Sequence, residues 1–205
     1  WNELSLAPIW LRNKFMKLIG RETAHAKKGM PARIVAKMNS LCDPGIIAAL
    51  YEASAAGVKI QLIVRGICCL KVGIKGVSEN IEVRSIVGNF LEHSRIFWFE
   101  NNGADEVYMG SADWMPRNLD RRVEILFPVL DDDAKESAKH ILEVELSDNT
   151  KAHILKSDGN YEKIDKRGKV LVNSQMQFCE EAVEAVPKQD HVYRERVFVP
   201  AEPAE

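Results

Sequence analysis

The sequence predicts an α/β domain whose mixed β-sheet is flanked by helices. Three features carry that expectation. Two apolar strand-like runs, 32–38 and 58–64, enclose one capped helical pattern, the layout of a βαβ crossover. A second pair of runs, 95–100 and 106–109, brackets Asn101-Asn102-Gly103, the residue types of a hairpin turn. The 205 residues are 46% hydrophobic, which suffices for one packed core.

The elements follow in order. Pro8 opens a helical pattern in which Leu11, Phe15, Leu18 and Ile19 share one face, and Lys27, Lys28 and Gly29 supply a basic last turn and a stop. Residues 32–38 then form a strand. Asp43-Pro44 places a cap before a proline at the first helical position, and Ile46, Ile47, Leu50 and Tyr51 line the helix up to Gly57. Residues 58–64 are apolar enough for burial on both faces, so this strand should lie parallel to the first, joined right-handed.

A glycine-bearing loop over 66–80 leads to a strand over 81–87 and then to the hairpin. Residues 122–129 form a further strand, with Pro128 marking its end or an edge. Asp131, Asp132 and Asp133 place negative charge at the start of a helix that runs to about Leu146. Ser157-Asp158-Gly159-Asn160 is a turn, and a last helix spans Ser174 to Val186. Residues 1–186 thus read as one domain and 187–205, acidic and proline-containing, as a flexible tail.

Composition narrows the function. Twenty-eight Lys and Arg against 30 Asp and Glu give a net charge of −2, which argues against a surface that coats nucleic acid. No apolar run reaches the length of a transmembrane helix, and the start, Trp1-Asn2-Glu3-Leu4-Ser5, is neither a methionine nor a signal sequence. The chain is therefore expected to be a piece of a longer cytoplasmic protein. Cys42, Cys68, Cys69 and Cys179 offer no zinc spacing and are expected to be reduced thiols in the core.

The chemistry should gather beyond the carboxyl ends of the parallel strands. One strand ends Lys37-Met38-Asn39, the other Val64-Arg65-Gly66. Lys37 and Arg65 are equally readable as solvated strand ends. The hairpin tips the balance, because pairing its strands brings Glu92-His93-Ser94-Arg95 beside Gly110-Ser111-Ala112-Asp113 at the open end. Arg117, Asn118 and Arg122 follow closely. An imidazole, several guanidiniums, a Gly-Ser turn and an amide suit an oxyanion or phosphate. Asp113 has a competing reading as a turn cap, and Phe97, Trp98 and Phe99 read as packing groups.

His93-Ser94-Arg95 with Glu100, then Gly110-Ser111-Ala112-Asp113, resembles a relaxed phospholipase D signature, H-x-K-x4-D followed by G-S-x-N. Arg stands for Lys, Glu for Asp and Asp for the final Asn. The runs ARIVAKMNSL, GVKIQLIVRGICCL, ENIEVRSIVGNFLEHSRIFWFEN and SADWMPRNLDRRVE resemble the last catalytic domain of bacterial polyphosphate kinases of the long-chain-synthesising type, over roughly residues 4 to 170. The resemblance implies a phospholipase-D-like fold. It also implies reversible transfer of the terminal phosphoryl group of ATP to polyphosphate through a phosphohistidine held in another domain of the same enzyme.

By that resemblance Arg65 and His93 contact ATP or its phosphates, and His93 is the catalytic candidate, an acid/base partner or phosphate orienter. Lys37, Asn39, Ser111, Asp113, Arg117, Asn118 and Arg122 line the site or orient His93. Magnesium ligands are expected in the missing domains, with no metal held here. The partners are ATP/ADP, polyphosphate and the remaining domains, in a homo-oligomer that is cytoplasmic or peripheral to the inner membrane. Two other readings stand beside this one: a phosphodiesterase or nuclease of the phospholipase D superfamily, and a non-catalytic polyanion-binding module.

Overall fold

A computed structural model describes residues 3–185. The expected tail over 187–205 lies outside the described residues. In chain order the elements are β1 (Ser5–Ala7), α1 (Leu11–Lys27), β2 (Arg33–Met38), α2 (Pro44–Ala55), β3 (Lys59–Val64), β4 (Ile81–Ile86), β5 (Ile96–Phe99) and β6 (Glu106–Gly110). Then come α3 (Pro116–Asp120), β7 (Glu124–Pro128), α4 (Asp132–Ser147), β8 (Ala152–Leu155), β9 (Tyr161–Lys163) and α5 (Ser174–Ala185). The described strands form one sheet in the order β1-β7-β6-β5-β2-β3-β4-β8-β9.

The centre of that sheet is parallel, β2 beside β3 and β3 beside β4, and both wings are antiparallel. The mixed character follows from the connections. A helix returns the chain from β2 to β3, whereas Asn101, Asn102 and Gly103, all at positive φ, turn β5 back onto β6. Asp43 accepts the Ile46 N–H at 2.9 Å and so caps α2 where Pro44 starts it.

Strand alternation divides the core. Ile34, Ala36 and Met38 of β2 face the layer of α1 and α2, with Leu11, Phe15, Ile46 and Leu50. Val35 faces the opposite layer, where Ala138 and Leu142 of α4 cover Ile63, Ile96 and Trp98. Phe15, Phe97 and Trp114 form an aromatic knot with centroids 4.8–5.5 Å apart. Phe97, Trp98 and Phe99 are all buried, as packing groups should be.

The structure departs from the sequence reading in several places. The first helix begins at Leu11 rather than Pro8, because Ser5–Ala7 is drawn off as β1 to pair with β7. The strand expected from Arg122 starts at Glu124, since 116–120 coils into α3. The segment around the Ser157–Asn160 turn is a hairpin, β8 and β9, extending the sheet edge. The cysteines are free thiols but not core residues: Cys69 is exposed and the other three are half-buried. No helix among the described residues is long and apolar enough to cross a membrane.

Candidate functional site

The parallel register pairs Met38 with Val64 and Lys37 with Ile63. Asn39 and Arg65, one residue further along each strand, are therefore level with each other at the sheet's carboxyl rim. Gly66 brings them together. Its N–H donates to the Asn39 carbonyl at 2.6 Å, and a Cβ there would lie 2.9 Å from that oxygen. A side chain at 66 would push the two backbones apart.

With the backbones in contact, the Arg65 Nε donates to the Asn39 Oδ1 at 3.0 Å. The Asn39 Nδ2 lies 3.2 Å from the His93 Nδ1. A single carboxamide thus joins the guanidinium to the imidazole. The terminal nitrogens of Arg65 and the outer nitrogen of His93 have no side-chain partner among the described residues, so a guanidinium fork and a ring nitrogen are both free at the rim.

The hairpin holds this trio from the other side. Asp113 accepts the Asn39 backbone N–H at 2.9 Å and the Arg95 Nε at 3.0 Å. The Arg95 Nη1 donates to the His93 carbonyl at 2.6 Å. The Arg that replaces a phosphate-holding lysine is therefore matched to the Asp that replaces an asparagine. Together they form a buried strut, and Arg95 is not free to hold a phosphate.

The other sequence-chosen residues lie elsewhere. Lys37, 3% exposed, is clamped between Glu92 and Glu145 under α4. Burial pushes the Glu145 carboxyl up to about 8, against the pull of Lys37. Burial also raises Glu92, but the Lys37 ammonium and the Gln175 amide outweigh it and hold that carboxyl below its usual range. Ser111 and Asn118 both donate to Glu124, a buried carboxylate at the start of β7. Arg117 and Arg122 are exposed, with no side-chain partner among the described residues.

Several positioning residues escaped the sequence reading. Gln175, from the first turn of α5, accepts the Phe90 N–H at 3.0 Å and donates to the Phe90 carbonyl at 2.9 Å and to Glu92 at 2.6 Å. It straps down the loop that carries His93. Arg12 of α1 bridges Asp43 and Asp120, tying α3 to the cap of α2. Glu145 did carry a signal: it falls in step with Ala138 and Leu142 on the apolar face of α4, where an acid needs a buried partner.

A family model described as polyphosphate kinase C-terminal domain 2 matches residues 4–175. The chain belongs to that family. A polyphosphate kinase of Lactiplantibacillus plantarum is 51% identical over 191 residues, which is 93% of this chain but 26% of the relative. The crystal structure of polyphosphate kinase from Porphyromonas gingivalis matches with a TM-score of 0.85 at 40% identity, over 90% of this chain and 29% of that one. This polyphosphate kinase domain thus spans about a quarter of the length of such relatives. Nuc from Salmonella typhimurium, a phospholipase D family member, matches with a TM-score of 0.55 at 15% identity over 76% of this chain. That likeness is one of fold, and the fold is phospholipase-D-like.

Proposed function

We propose that this domain supplies nucleotide- and phosphate-holding groups to reversible transfer of the terminal phosphoryl group of ATP to polyphosphate, through a phosphohistidine carried outside this sequence. The observation that supports the reading most is the open fork of Arg65, joined through Asn39 to His93. A planar guanidinium matches two phosphoryl oxygens at once, and an imidazole beside it adds a directed contact. Phosphoryl transfer asks for little else from a protein than such positioning and charge relief on the equatorial oxygens. Arg117 and Arg122 serve as exposed contacts along the polyphosphate.

Magnesium finds no fit among these residues. No group of three His, Cys, Asp or Glu side chains among the described residues is disposed to hold a metal, and Asp113 beside the trio is engaged by Arg95 and the Asn39 N–H. With the nucleophile elsewhere, the domain alone is inactive. The whole enzyme works in the cytoplasm as a homo-oligomer.

The test has two parts. Calorimetric titration of the chain with ATP and with polyphosphate should show binding that Arg65→Ala weakens by about 1.5–3 kcal/mol, the worth of hydrogen bonds to a charged group. Mixing the chain with the N-terminal remainder of the enzyme should restore ATP-dependent polyphosphate and a phosphohistidine. A mixture containing the Arg65→Ala, His93→Ala double variant that is as active as the native mixture overturns the reading.

A further inference from the structure

We infer that Asn39 fixes the tautomer of His93, leaving its ring proton on Nε2, so that His93 meets phosphate as a hydrogen-bond donor and not as a nucleophile. The tautomer follows from geometry alone. Only its meaning for turnover rests on the reading of Arg65 and His93 as phosphate ligands.

A guanidinium Nε–H can donate but never accept. The Asn39 atom that faces it at 3.0 Å must therefore be the carbonyl oxygen, Oδ1. The other end of the amide is then an NH2 group, a donor with no lone pair to offer, and it stands 3.2 Å from the His93 Nδ1. A donor facing Nδ1 requires a lone pair on that nitrogen, so the proton of the neutral ring sits on Nε2. A flipped amide is disfavoured, since it would set the NH2 against the Arg65 Nε–H and leave the oxygen without its donor.

The backbones of both residues are held in place. Asn39 is buried, and its backbone N–H is held at 2.9 Å by Asp113. Arg95 fastens the other end, donating to Asp113 and, at 2.6 Å, to the His93 carbonyl. The backbones that carry the amide and the imidazole thus hang from the same Arg95–Asp113 strut.

The chemical consequence is a division of roles. An Nε2–H points a donor at the rim where the Arg65 fork also opens, so one phosphoryl group can be gripped by both. Attack on phosphorus would need a lone pair at Nε2, and this tautomer has none there. The lone pair it does have, on Nδ1, is covered by Asn39. In a histidine whose Nδ1–H is held by a carboxylate, the opposite arrangement obtains and Nε2 is nucleophilic. Asn39→Asp should convert one arrangement into the other.

The test is a two-bond 15N–1H correlation spectrum of the chain labelled in its histidines, recorded with the ring uncharged and without ligand. For His93, Nδ1 should appear as the unprotonated nitrogen and Nε2 as the protonated one. In Asn39→Asp the pattern should reverse, because a carboxylate between Arg65 and His93 accepts from both. Full-length enzyme carrying that change should lose about 10-fold or more in kcat with little change in KM for ATP, the scale of one lost contact to a phosphoryl group.

A wild-type spectrum with the proton on Nδ1, or an even mixture of tautomers, overturns the inference, and this arm needs no variant to fold. An unchanged pattern in a folded Asn39→Asp chain overturns it too. Expected tautomers in a chain that binds neither ATP nor polyphosphate would instead sink the phosphate reading and leave the role of Asn39 intact.

Discussion

Lys37 and Arg65 are both cations on the same side of neighbouring parallel strands, yet they have opposite fates. The register explains why. Lys37 is level with Ile63, two residues short of Arg65, a step of about 7 Å along a strand. At that depth α4 covers the sheet, and Glu145 meets the ammonium from above while Glu92 meets it from the loop. Two residues further out α4 no longer reaches, and Arg65 keeps its fork open beside Asn39. A cation is available to a ligand only where no carboxylate of its own protein can close on it, and depth below the rim decides that.

The comparison can be broken first at Lys37. Lys37→Ala leaves the ionised Glu92 without its counter-charge and Glu145 without its donor, and removing one partner of a buried ion pair costs about 3–5 kcal/mol. Urea unfolding should show a loss of that order. A change under about 1 kcal/mol would mean that the clamp is not what holds the loop and α4 together.

Arg65 should behave in the opposite way. Arg65→Ala removes a side chain with one internal hydrogen bond, so the unfolding midpoint should stay close to wild type while affinity for polyphosphate falls by about 1.5–3 kcal/mol. Arg65→Lys keeps the charge but loses the fork, and should recover only part of that affinity.

Titration sharpens the contrast further. The folded Glu145 carboxyl holds its proton up to about 8, whereas in the unfolded chain it ionises in the ordinary range. Between those two values the native state carries the extra proton, so this group makes stability fall as pH rises, by up to about 1.4 kcal/mol per pH unit. Glu92, held below its usual range, acts in the other direction: its contribution is present above its unfolded value and is lost in acid. Glu145→Gln should therefore flatten the decline of stability between about pH 5 and 8 and leave the acid limb in place. A decline as steep as wild type would rule out Glu145 as its source.

The smallest effect belongs to a half-buried cation with two partners. Asp120→Ala leaves Arg12 still bound to the buried Asp43, so the cost should be about 0.2–1 kcal/mol by chemical denaturation. A larger loss would show that α3 depends on this tie.

Much of the fold was legible because its signals are local. The Asp43-Pro44 cap, the apolar runs around it and the Asn-Asn-Gly turn each lie within a few residues, and each appears where the pattern placed it. The missing pieces are those whose stability comes from distant partners. Ser5–Ala7 is a strand only because β7 lies beside it, and Tyr161–Lys163, exposed throughout, carries no apolar alternation to read. The helix at Pro116 did offer a proline at its first position.

The site was legible in part. Arg65, Asn39, His93 and Asp113 do converge. Lys37, Ser111 and Asn118 do not join them, because buried carboxylates on other elements, Glu145 and Glu124, engage them first. Which cation meets which acid across more than a hundred residues of chain cannot be read from spacing. The pairing of Arg95 with Asp113 was within reach, since both depart from the phospholipase D pattern in complementary senses.

The strap made by Gln175 gives α5 a part in holding the site. Its amide grips the backbone of Phe90, and a Cβ at Gly88 would come within 2.3 Å of the Gln175 oxygen, so a side chain there would have to displace the strap. The final described helix, packed beside α4, is thus a latch on the loop of His93. A chain trimmed just before Ser174 would keep every described strand and still leave its imidazole on a slack tether, so α5 is part of the scaffold that holds His93.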